Sequence, residues 1–334
     1  AGTLLMQPQR NIGLVSNSHP ILGMVLQRLA LGLLSLLIVS IVIFTAVSML
    51  PGDFASAVLG RSATAETVAA FQQKLGLDQP WPLRYFQWLT GALIGDFGNS
   101  FSNRPVTTVI GSRLFNTLKL AALTAAIAVP MAIFLGTICA RYRNRPIDRF
   151  LSAITLASIS LPEFFIAYVL MLLLATNLHL FPTLSSIRGS MDVWEQLYRM
   201  AMPILTLMFV TLAHMMRNTR AALIGIMSHP YIEMARLKGE PEMRIVLRHA
   251  LPNAIGPIAS VVAINLAYLI AGVVVVEVVF VYPGIGQTMV DAVRNRDVPV
   301  VQACALIFSA TYIILNLVAD IISIVSNPRL LHPR

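Results

Sequence analysis

The segment MSHPYIEMARLKGEPEMRIVLRHALPN, residues 227–253, carries a dense mixture of acidic and basic side chains and lies between two long apolar runs. Pro230 and Pro241 each suit the first turn of a helix, and Gly239 suits the left-handed conformation that ends one. We therefore expect two short helices joined by a glycine turn, lying parallel or oblique to a membrane.

Two roles suit this charged segment. A helix that rests on lipid headgroups has a one-sided basic face, whereas Glu233, Glu240 and Glu242 interrupt the positive charge here. The mixture favours docking onto a partner protein, with resting on lipid as the alternative.

The composition is that of a membrane protein. Of the 334 residues, 57% are hydrophobic and 12% are charged, whereas soluble proteins carry about 25% charged residues. The net charge of +9 comes from loops between apolar runs, which favours an anionic membrane leaflet over nucleic acid as its counterpart. Cys139 and Cys304 fall in different runs, so we expect neither a disulfide nor a cysteine–histidine metal site.

Six apolar runs match the roughly 20 residues that a membrane-spanning helix requires. They are residues 29–50, 118–140, 151–174, 202–216, 255–280 and 301–325. The first run is too long for a signal peptide and is followed by MLPGD, so we interpret it as an uncleaved span. The predicted fold is an all-α membrane protein with six transmembrane helices.

Arginine and lysine residues define the predicted orientation. They concentrate in the loops after the second and fourth runs, which places both loops and both termini in the cytoplasm. Residues 1–20 lack periodicity and are predicted to be a disordered extension, and residues 21–330 form the transmembrane domain. Residues 51–113 form a helical outer loop, and residues 222–251 form the cytoplasmic loop.

The outer loop contains an aromatic stripe. Pro82 suits the first turn of a helix in which Trp81, Tyr85 and Trp88 align. Such a stripe is typical of packing or of anchoring at the membrane interface. Contact with a ligand or a docked partner is the alternative.

Sequence motifs for catalysis are missing. The chain contains no G-x-x-x-x-G-K-[ST], no H-E-x-x-H and no G-x-S-x-G, so it should not bind ATP phosphates through a P-loop or carry these hydrolytic centres. PGIG at residues 283–286 is interpreted as a turn. His214 is interpreted as a polar group near a helix end. We expect no catalytic residue, no metal site and no cofactor bound by this chain.

Three polar residues within the apolar runs are candidates for a translocation path or gate, because a carboxylate in the bilayer is costly. Glu163 follows Pro162, whose ring can kink the helix, and either lines a path or pairs with a neighbouring helix. For Glu277 a structural hydrogen bond or a gate pairing is favoured over substrate contact. Asn265, like Asn316, is expected to bridge helices.

The charged segment also carries a family resemblance. E-M-A-R-L-K-G followed by A-L-P resembles the E-A-A-x-x-x-G…L-P loop of ABC importer permeases. Four residues match that motif: Glu233, Ala235, Gly239 and Pro252. Met234 replaces the second residue of the motif, and His249 stands where an aliphatic residue is usual.

Longer blocks narrow the resemblance to the dipeptide/oligopeptide/nickel permease family. These blocks are LPGD (50–53), LGLDQPWPLRYFQWLTGALIGDFGNSF (75–101), VVVVEVVFVYPGIGQTMVDAVRNRDVPVVQA (273–303) and NLVADIISIVSNPRL (316–330). The resemblance extends from Arg28 to Arg329 and implies the type I importer permease fold, in the inner membrane of a bacterium.

The resemblance implies a set of partners. A second, homologous permease would complete the path, two ATPase subunits would bind ATP and Mg, and a periplasmic binding protein would deliver cargo. The coupling helix would contact the ATPase through Tyr231, Glu233, Met234, Ala235, Arg236, Leu237, Lys238 and Gly239. The binding protein would dock on the outer loop, with Trp81, Tyr85 and Trp88 as candidates.

The cargo implied by the family is a di- or oligopeptide, with nickel, an opine or a glutathione-like compound as alternatives. An ion-coupled secondary transporter is the competing function. It would predict broken helices, internal repeats and a linked charge array at the midplane of the membrane.

Overall fold

The computed structural model describes residues 20–49, 64–74 and 79–325. Every secondary-structure element within these ranges is a helix. The all-α prediction is therefore confirmed. The predicted extension over residues 1–20 lies almost entirely outside the described residues, as do residues 51–63 and 75–78 of the predicted outer loop.

Eleven helices make up the described part of the chain. They are α1 (Pro20–Ser48), α2 (Ala65–Lys74), α3 (Trp81–Leu93), α4 (Val106–Arg141), α5 (Pro146–Ser160), α6 (Glu163–Asn177), α7 (Val193–Met227), α8 (Pro230–Leu237), α9 (Glu242–Val279), α10 (Ile285–Arg294) and α11 (Val298–Val325). Two stretches are wider π-helical turns, Met171–Asn177 in α6 and Ile245–Ala250 in α9.

Five of these helices, α1, α4, α7, α9 and α11, are long and apolar enough to cross a membrane. The run predicted as the third span is a pair of helices, α5 and α6, bent by 111°. Pro162 causes the break, because its ring disfavours helical geometry at the preceding residue. Leu161 is accordingly extended, with φ −97° and ψ 138°. The prediction of six spans holds when this bent pair counts as one.

Helix α7 is much longer than its apolar run, residues 202–216, because amphipathic turns extend it at both ends. At its start the Asp192 carboxylate accepts a hydrogen bond from the Trp194 backbone N–H (3.4 Å). Along its length α7 packs against α4. A Cβ atom at Gly136 of α4 would lie 2.8 Å from the Thr219 Cβ, so a glycine is needed for this close approach of two helices.

Helix α1 lies at the edge of the bundle and packs mainly against α11, with a smaller contact to α3. Arg28 donates to Asp320 at 2.9 Å, although both side chains remain substantially exposed. A groove of about 730 Å³ runs between α1, α9 and α11. Helix α1 is therefore held to the bundle by its contacts with α11.

An ion pair with a buried carboxylate connects α5 to α7, and its arginine side chain is 27% exposed. Arg220 binds Asp148 through two parallel hydrogen bonds of 2.7 and 2.8 Å, and Asp148 is only 2% exposed. The backbone N–H of Asn144 donates to the same carboxylate at 2.8 Å. Removing either charge would leave the other without its partner, and breaking such a pair costs about 3–5 kcal/mol.

A second polar network fixes the C-terminal end of α9. The fully buried Glu277 carboxylate accepts hydrogen bonds from the Thr117 hydroxyl of α4 at 2.6 Å and from the Gly286 N–H of α10 at 2.7 Å. Next to it the Tyr282 hydroxyl donates to the Asn116 carbonyl at 3.0 Å. The turn between α9 and α10 is thereby bound to α4.

The Glu277 network generates a first prediction. A Cβ atom at Gly284 would overlap the Glu277 carboxylate, so Gly284→Ala should displace it and leave buried hydrogen-bonding groups unsatisfied. We expect a loss of about 1–3 kcal/mol, measured as a lower midpoint of thermal unfolding in detergent. Gly111→Ala is the control, because a Cβ there meets no atom within 4 Å. Equal midpoints for the two variants would contradict the conclusion that Gly284 leaves the space that the Glu277 carboxylate occupies.

The ion pair generates a second prediction. Arg220→Met should lower the stability by about 3–5 kcal/mol, because it leaves Asp148 buried and unpaired. Arg199→Met, on the same helix, removes an exposed pair with Glu195 and should cost less than about 1 kcal/mol. The double variant Asp148→Leu/Arg220→Met should recover most of the loss. Similar unfolding midpoints for the two single variants would refute the role of this pair.

Candidate functional site

A polar cavity of about 660 Å³ lies between α6, α7 and α9. Its polar lining consists of Glu163, Thr211, His214, Asn218, Asn265 and Tyr268. The residues from α7 repeat at helical spacing and therefore share one face of that helix. The structure thus brings together Glu163 and Asn265, two of the three residues that the sequence singled out for a path or gate.

Glu163 lies in the first turn of α6, directly after the break at Pro162. Its carboxylate lies against Gly272 of α9, where an added Cβ would come within 2.7 Å of Oε1. Within the described ranges, this carboxylate has no hydrogen-bond or ion-pair partner. Glu163 therefore lines the cavity, and its role in a translocation path stays a prediction.

Within the described residues, Asn265 forms no hydrogen bond to a neighbouring helix, contrary to the bridge expected from the sequence. Its side-chain amide donates to the Val261 carbonyl of its own helix at 2.8 Å. Asn316 does the same with Tyr312 at 3.1 Å. A carbonyl four residues earlier is always within reach of such a side chain in a helix, so an asparagine can satisfy its donor locally.

Glu277 is separate from the cavity. It is buried in the network with Thr117 and Gly286 and does not line the cavity. A structural hydrogen bond, one of the two roles favoured for it from the sequence, is present. A role as a gate stays a prediction.

Helix α8 lies on the surface with one face buried. Ile232 and Ala235 are 0% and 9% exposed. They belong to a hydrophobic cluster that also contains Leu223, Ile245, Ala250, Ala254 and Ile258. Ala235, expected to contact a partner, is turned towards this cluster, and Ile232 was not singled out. The spacing of three residues between the two was the available signal for a buried face.

The other face of α8 is open and mixed in character. Tyr231, Met234 and Leu237 are 44%, 55% and 77% exposed. Two charged side chains of this helix, Glu233 and Arg236, are also exposed, as is Lys238 directly after its end. This face can bury apolar surface against a partner while charged groups surround the contact.

A glycine turn joins α8 to α9. Gly239 has φ +79°, which confirms the left-handed conformation expected from the sequence. Its N–H donates to the Arg236 carbonyl at 2.9 Å. Arg236 also pairs with Glu242 across the turn at 2.9 Å, so the direction of α8 relative to α9 is fixed.

The aromatic stripe of α3 packs against α1. Trp81, Tyr85 and Trp88 surround Phe44, with ring centroids 5.8, 5.6 and 5.5 Å away. The Tyr85 hydroxyl also forms a hydrogen bond with Ser40 at 2.8 Å. These contacts give the stripe a packing role, and its contact with a binding protein stays a prediction.

Comparison with known proteins identifies a family. The family model described as "Binding-protein-dependent transport system inner membrane component" matches residues 132–332, and its N-terminal companion matches residues 21–121. The chain is 38% identical over 309 residues to the "Glutathione transport system permease protein GsiC" of Escherichia coli. The alignment covers 92% of this chain and 98% of that protein, and the GsiC proteins of Salmonella typhi and Salmonella choleraesuis align equally well.

The matches extend over nearly the whole chain and agree with its all-helical fold of apolar helices. This chain therefore belongs to the inner-membrane permease subunits of ABC importers, within the peptide and nickel importer family.

Proposed function

We propose that this chain forms half of a translocation path and that α8 is the coupling helix, which transmits motion from a cytoplasmic ATPase subunit. The observation that carries the proposal is the two-sided character of α8. Its inner face, Ile232 and Ala235, is buried in the bundle, whereas Met234 and Leu237 on its outer face are not covered by any described part of the chain.

The packing of α8 supports a mechanical connection to the cavity. Ile232 contacts a cluster that contains Leu223 of α7 and Ile245 of α9. The same two helices line the polar cavity further along their length. Because a close-packed core transmits displacement rather than absorbing it, a push on α8 moves two walls of the cavity together. Such rigid-body motion is how packed helices switch between two states.

The exposure of the cavity supports a second permease subunit. Tyr268 and Ile264, both in the cavity lining, are 60% and 42% exposed. A homologous permease on this side would complete the path. Two ATPase subunits would bind ATP and Mg, and this chain itself would carry no ATPase site.

The opposite end of the bundle carries α3 of the outer loop, which packs on α1, and a periplasmic binding protein would dock there. Both termini would then be cytoplasmic. Glutathione or a small peptide is the proposed cargo, because the relatives are named for glutathione transport and glutathione is itself a tripeptide-like molecule. Identifying the ligand held by the cognate binding protein would settle this choice.

A third prediction tests the coupling helix. Glu233→Lys reverses an exposed charge on α8, so the chain should still fold while co-purification of the ATPase subunits falls about tenfold or more. Glu195→Lys, on α7 at the other end of the bundle, should leave co-purification unchanged. Normal recovery of the ATPase with Glu233→Lys would count against α8 as the coupling helix.

A fourth prediction separates an ATP-driven importer from an ion-coupled transporter. In proteoliposomes that contain the complete complex, uptake should require enclosed ATP on the side of α8 and should be insensitive to ionophores. Uptake by this chain alone, driven by an ion gradient, would refute the proposed function.

A further inference from the structure

We propose that Glu163 is a subsite for a primary ammonium group on the cargo, such as the α-ammonium group of glutathione or the N-terminus of a small peptide. This inference rests on the proposed function, because it requires cargo to pass through the cavity between α6, α7 and α9. It adds a chemical requirement that the permease itself would impose on its cargo.

The first argument is the balance of charge in the cavity. Glu163 is the one carboxylate among the described residues of its lining, and that lining includes neither lysine nor arginine. An ionised carboxylate within a membrane protein is costly without a positive partner. The lining also contains His214, but it forms no ion pair with Glu163 within the described residues, so a positive group on the cargo would supply the missing partner.

The second argument is the position of the carboxylate. The break at Pro162 begins α6 beside α9, and Gly272 provides the space that the carboxylate occupies, since a Cβ there would lie 2.7 Å from Oε1. The side chain is therefore held at the junction of two helices, where it faces the cavity. A charged group fixed in this way can bind a ligand with little loss of side-chain entropy.

The third argument is the chemistry around Glu163. Asn218 and Asn265 supply amide groups to the same lining, and Thr211 supplies a hydroxyl. Tyr268 adds an aromatic ring, whose face attracts cations. One carboxylate among neutral polar groups suits a cargo that has an ammonium group and amide groups in the same molecule, as both a small peptide and glutathione have.

The experiment uses the complete complex with its binding protein in proteoliposomes, with radiolabelled glutathione and the dipeptide Ala-Ala as probes. Three variants separate charge from size: Glu163→Gln keeps the size and loses the charge, Glu163→Asp keeps the charge, and Glu163→Lys reverses it. Uptake per ATP hydrolysed should fall about tenfold in Glu163→Gln and further in Glu163→Lys. In Glu163→Asp it should stay within about threefold of the uptake by the unmodified complex. Glu195→Gln, an exposed carboxylate of α7, is the matched control.

The measurements distinguish failure of the Glu163 subsite from failure of the proposed function. Unchanged uptake per ATP in Glu163→Gln would overturn the subsite. So would a loss of complex assembly or a change in cargo-free ATPase activity in that variant, because either would indicate that Glu163 pairs with a cation of the second permease. If the ATPase of the unmodified complex fails to respond to loaded binding protein, the proposed function fails instead.

Discussion

Lipid offers no hydrogen bonds, so each buried polar group of a membrane-spanning bundle must be satisfied inside the protein. Two networks meet this requirement at opposite ends of the bundle. Glu277 joins α4, α9 and α10 at one end, and the Asp148–Arg220 pair joins α5 to α7 at the other. Between these ends the helices are held by close packing, as at Gly136. The bundle is thus fixed at its two ends, and Glu163 is the carboxylate left exposed to the cavity between them.

Much of the fold is readable from local patterns. The long apolar runs predict α1, α9 and α11, and Gly239 predicts the turn after α8. These features are predictable because they depend on residues that are close in sequence. Helix α7 is predicted too short, since its ends become amphipathic and Arg220 is satisfied by a residue far away in sequence. Pro162 indicates a kink, but the 111° bend depends on what α5 and α6 pack against.

The site is less readable than the fold. Glu163 and Asn265 stand out because polar residues in apolar runs are costly. Their meeting in one cavity, and the contributions of His214 and Tyr268, depend on how three helices cross. Helix α8 presents a similar problem, since apolar residues occur on both of its faces. The three-residue spacing of Ile232 and Ala235 indicates a buried face, but the spacing of Met234 and Leu237 is the same, so the sequence does not show which of the two pairs faces the bundle.

The ion pair between Arg28 and Asp320 has a consequence for biogenesis. Its two residues are 292 positions apart, and α1 rests mainly on α11, the last of the described helices. Translation proceeds from the N-terminus, so α1 enters the bilayer long before its neighbour has been synthesised. During that interval it is surrounded by lipid, with Arg28 placed to reach the headgroups. Docking of α1 against α11 is therefore among the last helix contacts that this subunit can form.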